Sequence, residues 1–216
     1  MTEARVSHHD TGLHRILDRA GVYDALQGLL LRKGSRERYV RDFVRPFPGC
    51  RILDIGCGPA AILAHLPDTG GRYTGFDMNP GYIEAARRRW GPRGEFFCRK
   101  VEAATLPAGG TYDIVLANGI VHHLDDTKAG QLFDIARLAL RPGGRLVTYD
   151  NVYLEDQHWF ARWLIGRDRG KAVRTRGAYE ALARGRFARL ESAILHDTLR
   201  VPYTILIMTC TKAGDR

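Results

Sequence analysis

The sequence predicts an α/β protein, a mostly parallel sheet with helices on both faces, and three observations carry that prediction. Short β-rich runs alternate with helical patterns from residue 51 to 149. The stretch ILDIGCGPAAIL, residues 52–63, ends an apolar run in a glycine turn and resumes with a second apolar run. After residue 186 two more β-rich runs, FARLESAILHDTL and PYTILIMTCTK, follow each other too closely for a crossover helix, so they should pair antiparallel.

The first 48 residues, with LHRILDRAG, YDALQGLLL and SRERYVRDFV, read as two or three amphipathic helices ahead of PFPGC, an N-terminal helical cap. The core then runs RILDI and PAAILAHL, RYTGF and NPGYIEAARRRW, EFFCR, YDIVLAN, TKAGQLFDIARLALR, and GRLVTY. Pro and Gly just past a helix stop it, so PGG at 142–144 should end the helix before the last of these strands. Residues 151–186 are helical in pattern at both ends and rich in Trp and Arg. The division expected is a cap over 1–48 and a core over 49–216, with 151–186 as a helical insert covering the substrate.

At 216 residues, 44% hydrophobic and 26% charged, the chain has the composition of an ordinary globular protein with one sizeable core. No apolar stretch approaches the ~20 residues that span a bilayer, and MTEARVSHHDTG has no apolar leader, so a cytoplasmic protein is expected. Cys50, Cys57, Cys98 and Cys210 lack the close spacing of zinc or thiol-redox motifs and read as reduced and structural. The net charge of +9 rests on five lysines and twenty-eight arginines, a ratio that coding bias produces without selection for nucleic acid. Residues 158–189 hold nine of those bases against two acids, which locates most of the excess.

Glycines at 56 and 58 let a ligand approach the backbone closely. A dinucleotide fingerprint would put a third glycine at 61, where the chain has Ala61. Asp54 separates the readings further. A carboxylate two residues before the first glycine opposes a pyrophosphate and favours a cation, and S-adenosylmethionine presents an ammonium and a sulfonium without any phosphate. RYTGF ends at Asp77, an acid at the sheet's carboxyl edge where ribose hydroxyls would lie, and Glu102 is placed to accept from an exocyclic amine.

Taken in order, LDIGCGPA, YTGFD, EAATLP, YDIVLANGIVHHLDD and LRPGGRL resemble the motif series of the class I S-adenosylmethionine-dependent methyltransferases, over roughly residues 50–150. Ala60 replaces that pattern's third glycine, and Glu102 replaces an Asp. The resemblance implies a Rossmann-like, seven-stranded sheet with an antiparallel C-terminal strand. It also implies that Asp54, Gly56 and Gly58 hold the methionine part, Asp77 the ribose, Met78 a face of the adenine, and Glu102 with Ala103 its edge. Asn118 would close the floor near the sulfonium.

Methyl transfer needs a nucleophile in line with the S–CH₃ bond, and a hydroxyl acceptor also needs its proton removed, which suits a histidine. His122 and His123 follow the fourth strand; one of them, His122 ahead, is the expected proton acceptor, against plain packing or capping with Asp125 and Asp126 starting the next helix. Asp150 and Asn151 end the fifth strand. A D-N pair there resembles the metal-dependent catechol methyltransferases, but Asn118 stands where an acidic ligand is required, so no metal is expected and Asp150 reads as a substrate contact.

Trp159 and Trp163 lie among Arg162, Arg167, Arg169, Lys171, Arg174 and Arg176, a set that fits a small anionic or amphiphilic acceptor. The alternative for that segment is a solvated helix stapled to the sheet by its tryptophans. Alternatives for the whole chain are an RNA methyltransferase, a protein that binds S-adenosylmethionine without methylating, and, more remotely, an NAD-dependent oxidoreductase. Nucleic acid is disfavoured because NGI follows the fourth strand where adenine-N6 enzymes carry Pro-Pro-aromatic. The sequence leaves the oligomeric state open.

Overall fold

The structure is a computed structural model that describes residues 32–106, 110–166, 172–200 and 203–214. Gly34, at φ 83°, turns the chain into a short helix α1 (Ser35–Tyr39), which widens into a π-helical turn over Val40–Val44. The two helical patterns expected before residue 32 lie outside the described residues.

Seven strands form the sheet path: β1 (Ile52–Ile55), β2 (Tyr73–Asp77), β3 (Gly94–Cys98), β4 (Tyr112–Asn118), β5 (Leu140–Tyr153), β7 (Arg189–Leu195) and β8 (Ile205–Thr211). Their order is β3-β2-β1-β4-β5-β8-β7, with β8 antiparallel to both neighbours. A two-residue strand β6 (Arg174–Thr175) adds to the end of β5. The helices are α2 (Pro80–Trp90), α3 (Asp126–Ala139), α4 (Trp159–Gly166) and α5 (Arg176–Ala183).

Strands covered on both faces read as continuous apolar runs, and β4 is the clearest case. Ile114 and Leu116 pack with Ile52, Tyr73, Val147 and Ile83 of α2 on one face. Val115 and Ala117 pack with Leu53, Leu146 and Phe133 of α3 on the other. Alternate side chains of one strand thus enter two separate cores. Helix starts follow the capping residues: Asn79 Oδ1 accepts from Gly81 N and Tyr82 N with Pro80 in the first turn of α2, and Asp125 Oδ1 accepts from Lys128 N at the start of α3.

Three local expectations differ. The run PAAILAHL yields only a 3₁₀ turn over Ala61–Ala64, because Ala60 enters it in the left-handed region at φ 55° and Pro67 follows too soon for a full helix. Helix α3 ends at Ala139, before PGG, and that triplet lies inside β5. The insert is not wholly helical, since β5 extends to Tyr153 and β6 pairs with it at Val152–Arg174 and Tyr153–Thr175.

Gly56 is required chiefly by its backbone conformation, since the atom nearest an added Cβ is the tip of the Ile120 side chain, which can move aside. The glycine sits at φ +75°, and a Cβ there would lie 2.7 Å from Ile120 Cδ1. Gly56→Ala should therefore cost about 2–4 kcal/mol, read as a lowered denaturation midpoint. Among the described residues no helix is long and apolar enough to cross a membrane.

Candidate active site

The carboxyl ends of β1, β2, β4 and β5 bring most of the expected residues to one edge of the sheet. Asp54 is buried in β1, and one carboxylate oxygen, Oδ2, accepts from the Tyr73 hydroxyl at 2.6 Å. The other, Oδ1, is buried without a partner. Burial raises this carboxyl's pKa, the Tyr73 hydrogen bond offsets part of that, and the Asp77 charge adds to it, leaving a value of about 7.

The turn itself has spent its amides. Gly56 N and Cys57 N both donate to Phe76 O, at 2.8 and 3.0 Å, and Gly58 N donates to Asp77 Oδ2 at 2.9 Å. A pyrophosphate would need those donors and a helix end behind them; only the short 3₁₀ turn follows. What remains is negative charge beside open backbone, since a Cβ on Gly58 would meet nothing within 4 Å. The Cys57 side chain points instead toward β2, where a Cβ added to Gly75 would lie 2.8 Å from its Sγ, so it is a packing residue.

Asp77 does two jobs at the end of β2. Its oxygens accept from Gly58 N and from Asn79 N at 2.8 Å, and each keeps a further acceptor site for hydroxyls. Asp77→Ala should weaken S-adenosylmethionine binding by about 30-fold or more in calorimetric titration, losing those acceptor sites and loosening the turn together. Met78, next along, is exposed at 70%. Glu102 and Ala103 lie at the head of a 3₁₀ turn over Ala103–Thr105 with both residues exposed; the Glu102 backbone N–H donates to Thr105 Oγ1.

At the end of β4, Asn118 Oδ1 accepts from the Tyr39 hydroxyl at 2.6 Å. Tyr39 comes from α1, is buried, and stands edge-on to Tyr149 at 5.3 Å between ring centroids. Burial and then the Asp54 charge raise its hydroxyl well above the ordinary tyrosine value, so it stays a donor. Nothing in the spacing of residues 35–44 pointed to Tyr39; only the fold brings it 79 positions along the chain to Asn118.

His122 is buried in a 3₁₀ turn over Val121–His123 that follows β4. Asp150 Oδ1, from β5, accepts from both its backbone N–H at 3.1 Å and its ring Nδ1 at 2.7 Å. A carboxylate oxygen at that distance makes Nδ1 the donor, so in the neutral ring Nε2 is the acceptor. His123 is exposed and lies beside the His122 ring at 4.1 Å between centroids. Asp150, itself buried, therefore orients a histidine. Among the described residues no group of three or more His, Cys, Asp or Glu is gathered as a metal site.

The insert divides its residues. Trp159 and Trp163 do not staple α4 to the sheet: they are 72% and 45% exposed, with Phe160 stacked on Trp163, while Ala161 and Ile165 face the core. Arg176 pairs with Glu180, and Arg174 is buried, so neither offers a free fork. Arg167, Arg169 and Lys171 lie outside the described residues.

A mostly parallel sheet in this order, with helices around it and an antiparallel strand near its C-terminal end, is a Rossmann-like α/β fold. Residues 52–144 match the family model described as a methyltransferase domain. The chain is 38% identical over 112 residues to a ubiquinone biosynthesis O-methyltransferase of Methylocella silvestris, covering 50% of this chain and 41% of that protein. It is 32% identical over 155 residues to an O-methyltransferase of Pyrenophora dematioidea, covering 64% and 57%. The chain thus spans about half the length of these curated relatives. The crystal structure of the Burkholderia thailandensis 1,6-didemethyltoxoflavin N1-methyltransferase superposes with a TM-score of 0.67 at 18% identity, over 97% of this chain and 94% of that one.

Proposed function

We propose that this chain is an S-adenosylmethionine-dependent methyltransferase that methylates a hydroxyl of a small anionic or amphiphilic molecule by in-line displacement. The observation that carries the cofactor is the buried, unpartnered oxygen of Asp54 beside a turn whose amides are already bonded, a site suited to an ammonium and unsuited to a phosphate. Asp54, Gly56 and Gly58 would hold the methionine end, Asp77 the ribose, and Met78, Glu102 and Ala103 the adenine. Tyr39 would keep Asn118 fixed near the reacting centre. When bound, S-adenosylmethionine supplies an electrophilic methyl group on a positively charged sulfur.

The rest of the reaction is done by positioning and one proton transfer. Asp150 holds Nδ1–H of His122, so Nε2 is the atom that accepts the acceptor's proton as the new bond forms, and the imidazolium is stabilised by the same carboxylate. An amine or thiol would need no such base, and the relatives named O-methyltransferases support a hydroxyl. The exposed Trp159 and Trp163 supply flat apolar surface for the body of the acceptor.

The test is release of S-adenosylhomocysteine over a panel of hydroxylated aromatic and aliphatic acids, with RNA and amine acceptors alongside. Time-dependent release with a hydroxyl acceptor is expected. Release only with RNA or only with amines would overturn the acceptor class, and S-adenosylmethionine binding without release from any of them would favour a non-methylating binder.

A further inference from the structure

Arg174 looks, in sequence, like one more surface base in a strongly basic segment. The structure buries it to 9% exposure and engages all five of its N–H donors. Nε and one Nη2–H reach Asp126 Oδ1 at 2.9 and 2.7 Å; Nη2 also reaches Leu124 O at 2.7 Å; Nη1 reaches Val121 O at 3.1 Å and Ala172 O at 2.9 Å. Val121 and Leu124 flank the two histidines. The carbonyl between them, His122 O, accepts from Ala172 N at 3.0 Å.

Three carbonyls of the histidine turn are therefore held by residues 172–174. That same segment is hydrogen-bonded to β5 at Val152, two residues beyond Asp150. The ring and backbone N–H of His122 are held by Asp150, its carbonyl by Ala172, and the carbonyls of Val121 and Leu124 on either side by Arg174, and all of these holds trace to the end of one strand. A guanidinium suits this task because its planar fork addresses several carbonyls at once, which an ammonium on a flexible stem does not.

We propose that Arg174 is a positioning residue for methyl transfer, clamping the Val121–Leu124 turn so that His122 Nε2 stays aimed at the acceptor hydroxyl. This rests on the assignment of His122 as proton acceptor. A shift of the turn by about 1 Å would cost on the order of 100-fold in turnover while leaving the cofactor residues on β1 and β2 where they are.

The experiment compares the parent with Arg174→Ala, Arg174→Lys and His122→Ala, using histidine-¹⁵N NMR with S-adenosylhomocysteine bound and turnover on the best acceptor of the panel. In the parent His122 should show one tautomer with a slowly exchanging Nδ1–H. In Arg174→Ala that signal should be lost and kcat should fall about 100-fold, with S-adenosylhomocysteine affinity within about threefold of the parent. Millimolar guanidinium should restore part of both, methylammonium should not, and Arg174→Lys should recover little. An unchanged Nδ1–H signal in Arg174→Ala, or a kcat loss matched by loss of S-adenosylhomocysteine binding and not rescued by guanidinium, overturns the proposal. If Arg174→Ala does not fold, Arg174→Lys is read in its place, since its ammonium cannot address Val121 O, Leu124 O and Ala172 O together, and wild-type kcat and tautomer in that variant overturn the proposal equally. Full turnover in His122→Ala would sink the proton-acceptor assignment and with it the clamp's role in methyl transfer, whereas the Nδ1–H readout separately decides whether the clamp holds the turn.

Discussion

Asp54→Asn should bind S-adenosylmethionine about 100-fold more weakly at pH 8 and yet melt at a higher temperature than the parent. Both effects come from one buried charge. The carboxyl titrates near pH 7 in the folded chain, against about 4 when unfolded, because burial disfavours the anion. A raised acid pKa makes the fold less stable as pH rises: the cost is absent below about pH 4, grows from there, and is complete above about 7. A shift of that size is worth on the order of 3–4 kcal/mol, and asparagine avoids it. Scanning calorimetry at pH 8 should show a rise of at least about 5 °C, shrinking toward pH 4.

The cofactor reverses that balance, since a cation beside the carboxylate recovers what desolvation costs. Affinity for S-adenosylmethionine should thus fall by up to about tenfold per pH unit below pH 7, with protons released on binding at pH 6. The asparagine variant should lose that dependence. Equal pH profiles in parent and variant would remove Asp54 from cofactor binding.

His122→Ala should lower kcat by about 10²–10⁴-fold on a hydroxyl acceptor, with cofactor affinity unchanged within about threefold. The residue lies on the turn after β4, and its side-chain bond is to Asp150 and not to Asp54 or Asp77, which is why the two effects should separate. Asp150→Asn should be nearly as damaging, because an amide facing Nδ1 favours the opposite tautomer and puts the proton on Nε2. A hydroxyl acceptor of low intrinsic pKa would be methylated with little loss by either variant. A loss that tracks the acceptor's pKa therefore marks proton removal, and an equal loss across acceptors marks a packing defect.

Much of the fold was legible because its strands are buried on both faces and so appear as unbroken apolar runs such as YDIVLAN, while acids and asparagines at their ends stand out against them. The start of α3 was legible for the same local reason: Asp125 precedes a helical run and bonds a backbone amide three residues on. Elements that depend on distant partners were not. β6 is two residues long and exists only because β5 runs past the sheet to receive it. Tyr39 becomes a site residue through its hydroxyl on Asn118, and Arg174 becomes a core residue because backbone carbonyls, which no sequence pattern displays, accept its donors. For the tryptophans of α4 the sequence left two readings open, and the stapled helix is the one that fails, since Ala161 and Ile165 are what face the core.

Calorimetric titration at pH 8 with S-adenosylmethionine and, separately, NADH tests the central claim most directly. Saturable binding of the sulfonium compound, weakened at pH 6 and in Asp54→Asn, with no heat from the dinucleotide, is the predicted result. Binding of NADH with none of S-adenosylmethionine would contradict it.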